Sequence, residues 1–386
     1  MDDQIAIQCK WRKIRVQMKK ILLNIVDLAL VNLLLTSCSV AMTPIATSST
    51  SSLPTSTRPS PTFIITIVPS VTLAPKLPIS PEASAYLEEA LDIMQTNSLH
   101  RLNTDWDVIR TSAFEVAQHA QTPADTYGAI RYALVRLGDH HSLFLTPYDL
   151  EQRGAETASD SPAPRAKLLL EKIGFIAIER YTAFEGEEYA TDAQQLIREI
   201  DTQNPCGWIV DRRENSGGNM GPMLAAIGPI LGEGEVGAFI DSYGKKSIWS
   251  YQDGQVLVDS SLYTQVNPAY ELKVSSPPVA VLTGVNTASA GEVIVVAFRG
   301  RPNTRSFGLY TTGLSTGNAG FHLSDGAVIV LTTSVYADRT GQTYGDRIYP
   351  DEVVDDVRKF TFIMDEAIPQ PAIDWLMSQP ACIAQN

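Results

Sequence analysis

The sequence predicts an α/β fold with a parallel sheet covered by helices on both faces, preceded by a small helical subdomain. From residue 173 onward, short apolar runs with the length of strands alternate with helical patterns, which is typical of parallel crossovers. Before that point, apolar residues recur at a spacing of three and four, which indicates amphipathic helices. The 386 residues, 44% of them hydrophobic, are enough for one large or two ordinary globular domains.

The helical subdomain is predicted over residues 81–147. Helices are expected at 83–94, 106–120 and 123–137, the last two behind Asp or Thr-Pro start signals. Gly138 is expected to end the third helix, and the triplet 143–145 begins an extended segment. Residues 151–165 are polar and contain two prolines, which predicts a loop.

The main body is predicted over residues 166–386. Its strands are expected at 173–178, 207–211, 278–283 and 326–336, with an added hairpin region at 236–240, 247–252 and 255–258. Helices are expected at 189–200, 220–231, from Ser289 to residue 298, and at 372–377.

The N-terminus has the plan of an export signal. Residues 18–38 have a basic start, an apolar stretch and a small-residue site before Cys38, and Leu-Thr-Ser-Cys at 35–38 resembles a bacterial lipobox. We expect a lipoprotein signal peptide over residues 1–38, with Met18 as the natural start and lipid attached to Cys38. An uncleaved anchor is the alternative. Residues 39–80, rich in Ser, Thr and Pro, predict a tether.

The charge and the cysteine content argue against a nucleic-acid partner and against a zinc site. The net charge of −13 argues against nucleic acid. The four cysteines form no Cys-x-x-Cys pair and have no neighbouring histidine, so we expect no zinc site. Cys206 and Cys382 are either a disulfide pair or two separate buried thiols.

Ser289 lies at the corner that carries the chemistry. Residues 281–292 predict a buried strand that breaks at Gly284 and Asn286 and turns into an apolar helix near Ser289. A serine there presents its hydroxyl beside free helix amides that can hold an anion, as a nucleophile requires. The alternative is that Ser289 or Thr287 caps the helix.

Two further segments can complete such a site. Residues 210–219 end a buried strand at the Gly217-Gly218 turn, and glycines let the backbone approach a bound group as an oxyanion site requires. A plain tight turn is the alternative. His140 and His141 follow a helix C-terminus, where an imidazolium is favoured, although a solvent-facing pair would have the same sequence.

Together these residues resemble the tail-specific, or C-terminal processing, serine peptidase family. The resemblance rests on five segments: Asp-Arg-Arg-Glu-Asn-Ser-Gly-Gly at 211–218, Thr-Ala-Ser-Ala-Gly-Glu at 287–292, Gly-Leu-Ser-Thr at 313–316, Ser-Asp-Gly at 324–326 and Pro-Asp at 350–351. It implies a crotonase-like (ClpP/crotonase) core of ββα units with Ser289 as the nucleophile. It also implies that Ala290 N–H and an N–H of the Gly217-Gly218 turn hold the oxyanion.

The sequence departs from the better-known branch of that family at the base. Those enzymes use a lysine in a Gly-Lys-Gly context, and Leu314 stands at that position here. They also commonly carry a PDZ domain, for which the gap between residues 147 and 167 is too short.

A histidine base is the remaining route to an activated serine. Residues 137–142, Leu-Gly-Asp-His-His-Ser, resemble the element that supplies a histidine in the tricorn core protease branch, which implies His141 as the base. His140 and His322 are the alternatives. An acid must fix the tautomer; we favour Asp338, with Asp346 and Glu292 left open.

We therefore predict an exported, lipid-anchored serine endopeptidase of the cell envelope that acts on a peptide or protein. No metal or organic cofactor is implied. The alternatives are a non-catalytic ligand- or peptide-binding protein on the same fold, and an acyl-hydrolysing relative that uses oxyanion amides without a serine nucleophile. The sequence leaves peptide specificity and oligomeric state open.

Overall fold

The computed structural model describes residues 77–154, 161–183, 185–364 and 366–385. The predicted signal peptide at 1–38, its lipidation site Cys38, and residues 39–76 of the predicted tether lie outside the described residues. Within the described ranges no helix has the length and apolar character to cross a membrane.

Three amphipathic helices form the predicted helical subdomain: α1 (Pro81–Asn97), α2 (Trp106–Val116) and α3 (Tyr127–Leu137). Asp105 caps α2 by accepting from the amide of Val108, and Gly138 ends α3 at a φ of 76°, a conformation that glycine adopts without strain. The buried faces of these helices share one apolar cluster with Ile329 and Leu331 of a later strand. The subdomain is therefore packed onto the main body through its own core.

The predicted loop at 151–165 is partly wrong. Strand β1 (Leu143–Leu145) is followed by helix α4 (Pro147–Gly154), and strand β2 already begins at Arg165 (Arg165–Leu169). Thr146 and Asp149 cap α4 reciprocally, since Thr146 N–H donates to Asp149 Oδ2 and Asp149 N–H to Thr146 Oγ1. Thr146-Pro147 was thus a helix start signal.

A six-stranded sheet forms the centre of the body. It contains β2, β3 (Ile173–Ala177), β4 (Gly207–Asp211), β9 (Val279–Thr283), β10 (Thr304–Gly308) and β13 (Glu352–Val353), in the order β13-β10-β9-β4-β3-β2. All neighbours are parallel except β2 and β3. The predicted parallel crossovers are therefore present.

A second, antiparallel sheet of seven strands was not predicted as separate. It contains β1, β5 (Gly234–Asp241), β6 (Lys246–Gln252), β7 (Gln255–Val258), β8 (Ser261–Gln265), β11 (Thr316–His322) and β12 (Val328–Asp338). Strand β12 pairs with β1, β5 and β11. The expectation that 326–336 continues the parallel sheet is wrong, because its partner β11 is the adjacent arm of a hairpin.

Helices α5 (Glu187–Asp201), α6 (Met220–Leu231) and α7 (Ala290–Phe298) contribute to the core that both sheets share. Trp208, Trp249 and Phe298 are among its buried side chains, and each such aromatic stabilises the fold by roughly 1.5–3 kcal/mol through burial. The other face of the six-stranded sheet packs on α8 (Gln370–Met377) and the hairpin of β14 (Phe360–Ile363) and β15 (Glu366–Pro369).

The two body cysteines are joined. Cys206 and Cys382 form a disulfide with their Cα atoms 4.8 Å apart, and both residues are buried. The bond fastens the C-terminal helix α9 (Pro380–Ile383) to the residue before β4. Of the two alternatives that the sequence leaves open, a disulfide or two separate thiols, the structure contains the disulfide.

Candidate active site

Ser289 lies between β9 and α7, at the corner that the sequence predicts. Its backbone has φ 51° and ψ −120°, a conformation that costs a non-glycine residue on the order of 1–3 kcal/mol. The amide of Ser289 donates to Glu292 Oε2 at 2.8 Å, and the amide of Ala288 donates to the carbonyl of Asn215 at 2.9 Å. These bonds hold the strained serine and join its corner to the glycine turn.

His141 reaches Ser289 from the helical subdomain. Its Nε2 is 3.1 Å from Ser289 Oγ, across 148 residues of sequence. The loop before β1 fixes the histidine, because Asp139 accepts from the amides of His141 and Ser142, and Asn318 Nδ2 donates to the His141 carbonyl. The structure therefore brings the predicted nucleophile and the predicted base into hydrogen-bond contact.

Thr316, at the start of β11, is the partner of the other ring nitrogen. His141 Nδ1 is 2.7 Å from Thr316 Oγ1. With its proton on Nδ1, the ring donates to Thr316 and leaves Nε2 to accept from the Ser289 hydroxyl. A threonine hydroxyl thus takes the position in which an acid was expected.

The preference for Asp338 as that acid is wrong. Its carboxylate accepts from the amides of Thr340 and Gln342 and from the hydroxyls of Thr340 and Tyr344, so it closes the turn after β12. Burial acts to raise the pKa of Asp338, but these donors together outweigh it and hold the pKa below its ordinary value. Asp346 Oδ1 accepts from the next amide in the chain, that of Arg347.

Glu292, the third candidate acid, holds the serine corner and not the histidine. Its fully buried carboxylate accepts from the amides of Ser289, Gly313 and Leu314 and from the hydroxyl of Thr311. Burial raises its pKa to about 7, although the four donors act in the opposite direction. Leu314, at the position of the family's lysine, donates its amide to Glu292 Oε2 at 2.9 Å.

The glycine turn lies directly against Ser289. A Cβ on Gly217, which has φ 102°, would come within 2.9 Å of Ser289 Cβ and 3.2 Å of the Ala290 nitrogen. The Gly217 amide donates to Asn215 Oδ1 at 2.9 Å, whereas no acceptor within the described ranges binds the amides of Gly218 or Ala290. Of the three predicted oxyanion residues, Gly218 and Ala290 therefore have free amides, and Gly217 provides the close approach.

Tyr336 is a further site residue that sequence reasoning missed. It is buried on β12, and its hydroxyl interacts with that of Ser289. Burial and the neighbouring Glu292 raise its pKa, so the phenol stays protonated. Like Thr316, it belongs to a strand of the antiparallel sheet, where nothing local in the sequence marks it.

The remaining candidates lie apart from the site. His140 is exposed with φ 56°, and His322 is exposed at the end of β11.

Burial lowers the pKa of His141 below 6.5, with Asp139 acting against that shift, so its imidazole is neutral at pH 7. No group of three or more metal-ligating side chains lies together in the described part of the chain.

A family model and related proteins match this chain. Residues 172–354 match the model of peptidase family S41, whose members are serine peptidases. The nisin-resistance protein of Lactococcus lactis is 26% identical over 303 residues, covering 78% of this chain and 89% of the relative. A carboxyl-terminal-processing protease of Synechocystis sp. is 23% identical over 205 residues, covering 53% of this chain and 40% of the relative.

Solved structures show the same architecture. A lipoprotein from Streptococcus agalactiae superposes with a TM-score of 0.62 at 25% identity, covering 78% of this chain and 97% of that one. The photosystem II D1 C-terminal processing protease superposes with a TM-score of 0.53 at 17% identity, covering 72% and 94%, which is a likeness of fold alone. The resemblance to the C-terminal processing serine peptidases is thereby confirmed, and residues 172–354 of this chain form a peptidase family S41 domain.

Proposed function

We propose that this protein is a serine endopeptidase with Ser289 as nucleophile and His141 as base, on a crotonase-like core. The observation that carries the proposal is the 3.1 Å contact between His141 Nε2 and Ser289 Oγ. A neutral imidazole at that distance can take the hydroxyl proton as the oxygen attacks.

The proposed reaction has two halves. Ser289 Oγ bonds to the peptide carbonyl carbon while its proton moves to His141 Nε2, and the carbonyl oxygen becomes an oxyanion. The free amides of Gly218 and Ala290 stabilise that oxyanion. His141 then gives the proton to the leaving amine as the C–N bond breaks. Water then gives a proton to His141 Nε2 as its oxygen bonds to the acyl carbon, and His141 returns that proton to Ser289 Oγ as the ester bond breaks.

Thr316 keeps the base in the productive tautomer through the 2.7 Å contact with Nδ1. A hydroxyl can accept as well as donate, so Thr316 can accept from Nδ1–H in the neutral ring and also in the imidazolium that forms when Nε2 takes the serine proton. In the form that acts as the base, the ring carries its proton on Nδ1 and donates it to Thr316, and Nε2 is the acceptor.

A fluorophosphonate probe tests the proposal directly, because it labels an activated serine. We expect labelling of the wild type, and none of Ser289→Ala or His141→Ala. His140→Ala is the matched control, since His140 is adjacent, exposed and without contact to Ser289. If His141→Ala is still labelled, His141 is not the base. If the wild-type protein takes no label but binds peptides, the result supports the non-catalytic alternative.

Nisin is the first peptide to test as a substrate, because of the nisin-resistance relative. We expect mass spectrometry to find a cut in nisin with wild type and none with Ser289→Ala. If the protein cleaves other peptides but not nisin, the peptidase proposal stands and nisin is excluded as a substrate.

We further propose that the protein is exported and anchored by lipid on Cys38, as the residues 35–38 suggest. Cys38→Ala should move the protein from the membrane fraction to the soluble fraction. An unchanged distribution would contradict the anchor.

A further inference from the structure

Strand β11 has an open edge that begins at the proposed active site. In the seven-stranded sheet, β11 pairs with β12 and with no other strand among the described residues. Its first residue, Thr316, has Oγ1 2.7 Å from His141 Nδ1, and Nε2 of the same ring is 3.1 Å from Ser289 Oγ. Asn318 Nδ2 donates to the carbonyl of His141. The edge therefore starts one imidazole away from the proposed nucleophile and leads away from it.

The bonds of β12 show which main-chain groups of β11 face that edge. Thr332 lies opposite Asn318, but its N–H donates to Ser142 Oγ. Ser142 directly precedes β1, which pairs with the other edge of β12. Opposite residues of an antiparallel pair either exchange both of their hydrogen bonds or direct both groups outward. The N–H and C=O of Asn318 therefore point to the open edge, and by alternation so do those of Gly320 and His322.

These main-chain groups are free to pair with another chain. Asn318, Gly320 and His322 are exposed, and their main-chain N–H and C=O groups have no hydrogen-bond partner in the part of the chain that the structure describes. Gly320 has no side chain, so its exposed surface belongs to the main chain. The residues of β11 include no lysine, proline or carboxylate, which commonly block a sheet edge. The edge can thus accept a further strand.

We propose that an extended segment of the substrate adds to β11 as that strand, and that its residues N-terminal to the scissile bond run antiparallel to β11. The inference rests on the peptidase proposal and states how the substrate is held. Strand addition supplies main-chain hydrogen bonds, and antiparallel pairs are slightly more stable per residue than parallel ones. Because the edge begins beside Ser289, it suits a peptide that is being cut better than a second copy of this chain.

Acetylated alanine phosphonate diphenyl esters test the pairing in the wild-type protein, because alanine contributes little through its side chain. Ser289 Oγ would bond to their phosphorus as phenol leaves. A strand rises about 3.3 Å per residue, so five alanines extend from the serine to Gly320. We expect the second-order rate of inactivation to rise at least tenfold from the ester with one alanine to the ester with five.

Methylation of the peptide nitrogens locates the bonds. An N-methyl group on every second alanine should remove the gain in rate, because those N–H groups face β11. The same group on the alanines between them should change the rate less than threefold, since those N–H groups face away. The two methylated esters differ only in register, so each is the matched control of the other.

Gly320→Pro tests the edge from the side of the protein. It removes one outward N–H and no bond to β12, and proline is tolerated at such edge positions. A Cβ at Gly320 would meet only Val328 Cγ1, at 3.7 Å, so there is room for the side chain. The ratio of the five-alanine rate to the one-alanine rate should fall at least fivefold. In the matched control Leu262→Pro it should not fall, because Leu262 is exposed on β8 at the opposite edge of the sheet.

Equal rates for the short and long esters, or a loss on methylation that does not alternate, would overturn the proposal and leave the peptidase proposal standing. A wild-type protein that neither fluorophosphonate nor the esters label would reject the peptidase proposal, and this inference with it. A dimer that Gly320→Pro converts to monomers, together with equal ester rates, would assign the edge to a second copy. If circular dichroism shows that Gly320→Pro does not fold, the methylated esters decide on the wild type alone.

Discussion

Thr316→Val is the substitution that tests the proposed geometry most sharply. Valine has nearly the shape of threonine and favours strands, so β11 should be retained. The change removes only the oxygen that lies 2.7 Å from His141 Nδ1. The imidazolium that forms when Nε2 takes the serine proton then has no acceptor for its Nδ1–H, so proton transfer from the serine becomes less favourable.

The size of the effect follows from the contact that is lost. An unsatisfied polar group in a half-buried site costs about 1–3 kcal/mol. At 1.4 kcal/mol for each factor of ten, this predicts a fall in kcat of roughly 5- to 150-fold, with the low end if water replaces the hydroxyl. KM should change little, because Thr316 acts through His141 and not on the substrate.

Steady-state kinetics on a cleaved peptide, together with the rate of fluorophosphonate labelling, measures this loss. Thr316→Ser keeps a hydroxyl and should recover most of the rate. Thr333→Val is the matched control, because Thr333 lies on β12 with its Oγ1 3.4 Å from the Gly317 carbonyl and does not touch His141. A Thr316→Val enzyme with kcat within twofold of wild type, alongside an inactive His141→Ala, would refute the orienting role.

Four further predictions concern pH, backbone and covalent structure. Since burial lowers the pKa of His141, the acid limb of kcat/KM should have its midpoint below 6.5, and a higher midpoint would contradict this. The carboxyl of Glu292 has a pKa of about 7 in the folded protein and 4.5 in the unfolded chain, so the folded state binds its proton more tightly. The free energy of unfolding should therefore fall as the pH rises from 4.5 to about 7, and this fall should be absent in Glu292→Gln. Gly217→Ala should cut kcat at least about 100-fold by displacing Ser289 from the oxyanion amides, while Gly128→Ala, with open space around it, should not. Cys382→Ala should lower the free energy of unfolding by roughly 2–5 kcal/mol in a denaturant titration, and an unchanged midpoint would mean that the disulfide is absent in solution.

The corner at Ser289 was predictable because its signals are local. A buried strand, Gly284, and an apolar helix behind a small polar residue fix the direction of the chain within a few residues. The Gly217-Gly218 turn is marked in the same way. His141 was predictable only through the family resemblance, because 148 residues separate it from the serine.

Thr316 and Tyr336 could not be recognised in the sequence, since Thr and Tyr are ordinary strand residues and their function depends on which strands pair. Asp338 was misassigned for a related reason. Asp-Arg-Thr-Gly at 338–341 is a turn signal in which the aspartate binds the amides that follow it, and that local use was overlooked. The strands at 173–178, 207–211, 278–283 and 326–336 were visible as apolar runs, whereas β8, β10 and β11 are more polar and were not predicted. The division into two sheets depends on long-range pairing.

The position of His141 has a consequence for how the protein loses activity. The proposed nucleophile lies at the start of α7, which packs in the core between the sheets. The proposed base is held by a loop that follows helices in a second apolar cluster, which they share with Ile329 and Leu331 of β12. We therefore expect heat inactivation to precede melting of the sheets, because loosening of α1 to α3 withdraws the imidazole while the serine corner stays intact. We also expect any change that tightens or loosens those helices to alter the proposed hydrolysis without contact to the serine.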